Sequence, residues 1–482
     1  MSDTTPRRAD RKQIWLLLGP LIAAAAGVAG ALGGLPQPAW ITAAVTALCA
    51  VWWVTEAIPI PATSLIPLGA FPLTGVLGHK EVAAAYGHTQ ILLLMGGFML
   101  STAVERSGAH RRLALLMIRA VGGRSGQGAD GKRLVLGFML ATAVCSMWIS
   151  NTATTLMLLP VALAVLDSAK DGERLAMPLL LGIAYAASIG GMGTPVGTPP
   201  NVVLMGIYEE TTGNTIDFAG WMQVGIPVVA IFIPIAWLYL VRRLKSTAGV
   251  GELPAMGPWR KPEVRVLMVF GITAMLWVFR SRPYGGWVGG VEWLLGAKVG
   301  VGDATVAALA VVALFVLPDG EGDRMLDWET ARKIPWGLLL LFGGGIAIAW
   351  AFKASGLSGQ LGALLAPLTE LPILATVALI CLAVTFLTEV TSNTATTNLL
   401  MPILAQAAVS AGVEPTSLMV PAALSASCAF MLPVATAPNA IVMGTERITI
   451  PQMAREGFAL NLAGVVVITL TCWALVSTLE PT

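Results

Sequence analysis

Long apolar runs, separated by short polar or charged stretches, account for most of the chain. Their lengths match membrane-spanning helices, which need about 20 apolar residues each. Residues 14–33 form the first run, closed by Pro36 and Pro38, and 39–58 the second. Pro59, Pro61 and Pro67 interrupt the third, 60–78, so that span is predicted short or kinked. The fourth is 89–104. Residues 105–133 then mix Arg106, Arg111, Arg112, Arg119, Arg124, Lys132 and Arg133 with an apolar stretch at 113–118, the pattern of an amphipathic arm lying in the interface. Further simple spans are predicted at 221–241, 264–280, 303–317, 336–351 and 457–478.

Four runs do not read as simple spans. From Leu134 to Leu166 no charge occurs over 33 residues, yet Ser150-Asn151-Thr152 sits at the centre. Two full crossings need about 40 residues, so this length with a polar middle predicts a re-entrant hairpin. Residues 371–411 repeat the pattern around Ser392-Asn393-Thr394, with Glu389 as the lone charge. The runs 177–208 and 417–445 are broken centrally, at Gly190-Gly191-Met192-Gly193-Thr194-Pro195-Val196-Gly197-Thr198-Pro199-Pro200-Asn201 and at Leu432-Pro433-Val434-Ala435-Thr436-Ala437-Pro438-Asn439. Non-helical backbone at membrane depth is tolerated only inside protein or against a cavity.

These features recur in order. Ser150-Asn151-Thr152-Ala153-Thr154-Thr155 is repeated as Ser392-Asn393-Thr394-Ala395-Thr396-Thr397, 242 residues on. Met95-Gly96-Gly97-Phe98 parallels Phe342-Gly343-Gly344-Gly345, Ser107-Gly108 parallels Ser355-Gly356, and each break ends in Pro-Asn. The chain therefore reads as a duplication. The fold predicted is an all-α polytopic membrane protein of eleven spans in two inverted-topology repeats, each with a hairpin and a broken helix.

Composition agrees. Of 482 residues, 56% are hydrophobic and 12% charged, against roughly 25% charged in soluble domains. Cationic and acidic residues nearly balance, which leaves no basic field for nucleic acid. Arg7, Arg8, Arg11 and Lys12 form a basic tail over residues 1–12, and the run behind it reads as an anchored first span rather than a cleaved leader. With this tail inside, the cations of 105–133, Lys170, Arg174, Arg242, Arg243, Lys245, Arg260, Lys261, Arg332, Lys333, Arg447 and Arg455 all fall inside. Glu209 and Glu210 fall outside, as does the C-terminus, which lacks Lys and Arg. Arg280 and Arg282 are the exceptions. The two hairpins then enter from opposite faces, as alternating access requires.

Enzyme chemistry finds no foothold. His79, His88 and His110 form no metal or triad spacing and read as interfacial or solvated. Cys49, Cys145, Cys381, Cys428 and Cys472 lack a CxxC and read as small buried hydrophobes. No GxxxxGK[ST] loop occurs, so this chain alone does not drive transport with ATP. The neutral oxygens of Ser146, Ser150 and Asn151, with carbonyls around Gly197, form a hard-ligand set suited to Na⁺. Thr388, Ser392 and Asn393, with carbonyls near Ala435, form a second. Some of these hydroxyls have an alternative use as caps of the hairpin helices. Asn151, Thr152, Asn393 and Thr394, with N–H groups near Thr198 and Thr436, offer donors to carboxylates. No Lys or Arg lies in either tip or break, so bound cations would neutralise an anion there. Lys353 and Glu389 are the nearest charges in sequence, as an ion pair or a proton-coupling group.

With these motifs the chain resembles the divalent anion/sodium symporters, which include bacterial sodium-coupled dicarboxylate carriers. The likeness rests on Trp52-Trp53-Val54-Thr55-Glu56-Ala57-Ile58-Pro59, both Ser-Asn-Thr-Ala-Thr-Thr copies, Gly197-Thr198-Pro199-Pro200-Asn201 and residues 430–441, and covers about 13–480. It implies a homodimer in the cell (inner) membrane with an elevator mechanism. Scaffold helices would occupy 13–88 and 221–317, the latter with a linker at 246–262. Span 4 with its arm would fill 89–133, and a second arm with span 9 would fill 318–356. The transport domain would combine 134–208 with 371–445, and 457–482 would complete the chain. The resemblance further implies at least two co-transported Na⁺ ions. One would lie at Ser146, Ser150, Asn151 and Gly197, the other at Thr388, Ser392, Asn393 and Ala435. A C4 dicarboxylate such as succinate, malate or fumarate would touch Asn151, Thr152, Thr198, Asn393, Thr394 and Thr436. Sodium-independent exchange, and Na⁺-coupled carriage of citrate or sulfate, are the alternatives within the family. Ala437 stands where the family commonly has the first proline of its second Thr-Pro-Pro-Asn, which loosens that loop.

Overall fold

The computed structural model describes residues 6–122, 130–169, 172–244, 253, 256–281, 285–357, 359–360 and 371–476, with side chains from residue 12 onward. The side chains of Arg7, Arg8 and Arg11, the residues Arg124, Lys170, Lys245 and Arg282, most of the linker 246–262 and the C-terminal end lie outside the described residues. The described chain is helical without a named strand, and eight of its helices are long and apolar enough to cross a membrane. Shorter apolar helices, among them Asp303–Val316, Ile373–Thr388 and Thr416–Ala426, stand between them.

Proline and glycine set most boundaries. Helices Pro6–Leu32 and Gln37–Thr55 meet at Pro36, with the Trp52 indole donating to the Trp15 carbonyl at 3.1 Å. The third run is divided among Ile60–Thr63, Ile66–Thr74 and His79–Tyr86, as its prolines predict. Helices Thr89–Ser107 and Trp336–Ser355 both end on a glycine with φ above 70°, Gly108 and Gly356. The duplicated Ser-Gly pairs are thus duplicated helix stops. The first arm is the helix Ala109–Gly122, whose apolar face packs against the next helix, Gly131–Ser146.

Each predicted hairpin is two helices meeting at a four-residue turn. The first is Gly131–Ser146 and Asn151–Ser168, the second Ile373–Thr388 and Asn393–Ser410. Each broken run is likewise split, into Gly172–Gly191 and Pro199–Thr212, and into Thr416–Ala426 and Ala437–Met443. The last helix, Ile450–Leu475, begins seven residues before the predicted start, capped by Thr449 and Gln452. A ten-residue helix, Gly286–Leu295, has no counterpart in the sequence reading.

Polar contacts join residues that the charge pattern assigns to the same face. On one face Arg106 pairs with Asp323 and Asp327, both at 2.7 Å, tying the two charged segments 105–133 and 318–333 together. Arg112 pairs with Glu263 at 2.8 Å, Arg242 with Glu456 at 2.6 Å, and Arg447 with Asp167. On the other, His88 meets Glu210 at 3.0 Å and the Tyr208 hydroxyl meets Glu414 at 3.0 Å. Arg280, an exception to the cation bias, pairs with Asp303 at 2.6 Å. Of the three histidines read as interfacial or solvated, His88 is not solvated. It is buried, and its ring accepts from the Gln90 N–H to cap a helix. All five cysteines are buried and free.

Candidate functional site

The tips and the breaks meet in pairs. In the first half the Ser146 hydroxyl lies 2.6 Å from Asn151 Oδ1 and 2.7 Å from the Ala187 carbonyl. A hydroxyl carries one proton, so three oxygens share a single hydrogen. Carbonyls crowd the same point. A Cβ added to Gly197 would lie 2.5 Å from the Gly191 carbonyl and 3.0 Å from that of Met147. The Gly191 Cβ position is 2.9 Å from Asn151 Oδ1 and 3.1 Å from the Gly197 carbonyl. Oxygen-rich, proton-poor surroundings of this kind fit a small hard cation.

The second half repeats the geometry. Thr388 Oγ1 lies 2.6 Å from Asn393 Oδ1 and 3.0 Å from the Ala426 carbonyl. Each break is closed by its own asparagine. Asn201 Nδ2 donates to the Gly191 and Thr194 carbonyls at 3.0 and 2.8 Å, and Asn439 Nδ2 to those of Ala429 and Leu432 at 2.9 and 3.0 Å. The Thr155 and Thr397 hydroxyls donate to the carbonyls of Asn151 and Asn393, both at 2.8 Å, which steadies the two tips alike.

Helix ends supply the electrostatics. Helices Gly131–Ser146 and Gly172–Gly191 end at the first oxygen cluster, and Ile373–Thr388 and Thr416–Ala426 end at the second. Their carbonyl ends carry partial negative charge and favour a cation. Asn151–Ser168, Pro199–Thr212 and Asn393–Ser410 begin at the same places and turn N–H-rich ends toward an anion. Ser150, Ser392 and Thr436 cap their helices by accepting from Ala153, Ala395 and Asn439, so the capping use is real for these three. Among hydroxyls Thr198 differs, for it sits at a helix start without making a cap bond.

One cavity of about 570 Å³ joins the halves. It is lined by Ser150, Asn151, Thr152, Gly197 and Thr198 from the first and by Ser392, Asn393, Thr394, Ala435 and Thr436 from the second. Ser146 and Thr388 are fully buried behind the wall, touching Asn151 and Asn393. The halves are not equal. Gly191 to Thr198 are all buried, whereas Val434 is 75% exposed, so the second break is the more open.

The charged residues nearest the cavity are Glu56, Glu105 and Lys333, which sequence reasoning missed. They come from three distant stretches; only Glu56 carried a signal, as part of the Trp-Trp motif, and it holds a left-handed φ of 50°. Lys353 and Glu389, the charges named from sequence, are elsewhere. Lys353 lines a separate cavity of about 420 Å³, 3.5 Å from the Glu210 carbonyl, and Glu389 is buried among backbone N–H groups. Among the described residues no group of His, Cys, Asp and Glu could hold a metal ion.

Residues 12–479 match the family described as the sodium:sulfate symporter transmembrane region. The sodium-dependent dicarboxylate transporter SdcS of Staphylococcus saprophyticus is 40% identical, covering 96% of this chain and 91% of the relative. SdcS of Staphylococcus aureus is also 40% identical, over 95% of this chain and 90% of the relative. Among solved structures, the YdaH transporter of Alcanivorax borkumensis superposes with a TM-score of 0.59 at 15% identity, covering 92% of this chain and 99% of that one, a likeness of fold. The match along nearly the whole chain, on a structure with a doubled oxygen cluster around one cavity, makes this protein a member of the sodium:sulfate symporter family, a family of transport proteins rather than enzymes.

Proposed function

We propose that this chain is a secondary transporter that carries C4 dicarboxylates such as succinate, malate and fumarate into the cell with Na⁺. One observation carries the reading: two equivalent proton-poor oxygen clusters flank a single cavity. Na⁺ occupies Ser146, Ser150, Asn151 and Gly197 on one side, and Thr388, Ser392, Asn393 and Ala435 on the other. The dianion lies between, against Asn151, Thr152, Thr198, Asn393, Thr394 and Thr436. No cationic side chain belongs to either tip or break, so the two ions supply the neutralising charge and couple anion affinity to Na⁺ concentration. The sodium-dependent dicarboxylate relatives support the choice of ligands.

The mechanism we infer is an elevator. The hairpins and broken helices form the moving domain, the remaining spans form a dimeric scaffold, and the repeats are inverted across eleven spans. With the N-terminus cytoplasmic and the C-terminus outside, the cavity opens beside Lys333 and Glu105 and therefore faces the cytoplasm.

Succinate uptake into proteoliposomes tests the reading. Uptake driven by an inward Na⁺ gradient into vesicles free of internal dicarboxylate is the expected result. Uptake that needs internal anion and ignores Na⁺ would establish exchange instead. Thr152 and Thr394 line the cavity on either side and stand outside the Ser146–Asn151 and Thr388–Asn393 contacts. Thr152→Ala and Thr394→Ala should each raise the succinate Michaelis constant several-fold, since a lost hydrogen bond costs about 1 kcal/mol. Half-saturation by Na⁺ should stay within about twofold, as the same loss falls on the anion alone.

A further inference from the structure

Glu389 is the residue at which the two halves part. Its position in the first repeat is held by Met147, and its side chain is only 3% exposed. One carboxylate oxygen accepts from Phe430 N at 2.7 Å, Met431 N at 2.9 Å and Asn461 Nδ2 at 2.7 Å; the other accepts from Leu432 N at 3.1 Å. Three successive backbone N–H groups of the second break thus converge on one anion. In the matching loop of the first half two of the three corresponding groups are satisfied locally, since Met192 N and Gly193 N donate to the Ile189 and Gly190 carbonyls at 3.1 and 2.9 Å. Backbone donors buried without an acceptor are costly, so the second loop requires an acceptor from outside itself.

The last helix closes the bracket. At Gly457 it passes flush against the loop, where an added Cβ would lie 2.2 Å from the Phe430 carbonyl, and Asn461 follows one turn later. Asn439 meanwhile binds the loop carbonyls of Ala429 and Leu432. The N–H groups go to Glu389 and the carbonyls of two residues to Asn439, which fixes the backbone just before Ala435.

We propose that Glu389 is a positioning residue for the second Na⁺ site, holding loop 430–432 so that the Ala435 carbonyl faces Thr388 and Asn393. This corrects the ion-pair reading of Glu389, since its partners are backbone amides and the Asn461 amide rather than a cation. The inference rests on the Na⁺-coupled reading above. A Glu389→Gln side chain keeps the shape but replaces one acceptor oxygen with a donor, leaving at least one loop N–H unpaired.

The test is Na⁺-driven succinate uptake by full-length wild type, Glu389→Gln and Asn461→Ala in matched proteoliposomes. Glu389→Gln should raise the Na⁺ half-saturation concentration about tenfold, while the succinate Michaelis constant at saturating Na⁺ changes less than about threefold. Asn461→Ala removes one of four donors and leaves the backbone bonds, so a rise of about threefold is expected, again in Na⁺ alone. It also serves as the probe should Glu389→Gln fail to fold. Variants whose Na⁺ dependence matches wild type, or whose Na⁺ and succinate constants shift equally, would overturn the positioning role. Wild-type uptake indifferent to Na⁺ would instead overturn the symport reading.

Discussion

Asn151→Ala and Asn393→Ala should each cut succinate uptake by roughly 10- to 100-fold, with the loss spread over both ligands. Each asparagine points its Oδ1 at a buried hydroxyl, Ser146 or Thr388, and also lines the cavity. In the proposed arrangement its carbonyl oxygen serves the cation and its amide hydrogens serve the anion. Truncation removes a bond to a charged partner on each side, worth about 1.5–3 kcal/mol, or roughly one to two decades. Uptake measured against Na⁺ and against succinate should show both half-saturation constants raised in each mutant. A normal Na⁺ curve in either variant would show that the side chain serves the anion alone. The effect should be larger for Asn151, which faces the fully buried first break at 191–198, than for Asn393, beside the more open second break.

Gly197→Ala should be nearly as damaging, for a different reason. The new methyl would meet the Gly191 carbonyl at 2.5 Å and the Gly191 Cα and Met147 carbonyl at 3.0 Å, all backbone atoms with no rotamer to yield. Overpacking of this kind costs about 1–3 kcal/mol, and here it is spent pushing apart the carbonyls that define the first oxygen cluster. The expected outcome is a folded protein whose uptake falls below roughly a tenth of wild type, one decade per 1.4 kcal/mol. Gly69→Ala is the matched control, because nothing lies within 4 Å of its Cβ position inside helix Ile66–Thr74. Uptake by that variant should equal wild type. If Gly197→Ala also does, the first cluster tolerates a displaced backbone and the close approach is not functional.

Much of this site could be read from the chain because it was written twice. A polar hexapeptide in the middle of uncharged sequence, and glycine-proline breaks where helices cannot continue, depend only on local residue types. Both therefore survive translation into three dimensions. The Ser146–Asn151 and Thr388–Asn393 contacts, each five residues apart, are similarly local. What stayed hidden depends on distant chain. Glu56, Glu105 and Lys333 reach one cavity from three separate stretches without a motif in common. The role of Glu389 was hidden because its partners are main-chain amides, which every residue possesses and no sequence distinguishes. Helix Gly286–Leu295 escaped because it is only ten residues long and flanked by glycines.

The interlocking of the halves also governs how the protein is made. Tyr185 reaches the Met453 carbonyl at 3.4 Å, Tyr208 reaches Glu414, and Arg447 closes on Asp167. A loop ten times longer costs only about 2 kcal/mol more to close, so stability survives such separations. Timing does not, because contacts so remote in sequence form late. A ribosome that has finished the first half has released a polar tip, Ser150-Asn151-Thr152, whose partners across the cavity are not yet synthesised. The cavity shared by the two halves is then the last feature to appear during biogenesis. A nascent chain stopped before Ile450 would carry both tips into the bilayer with no final helix to brace them.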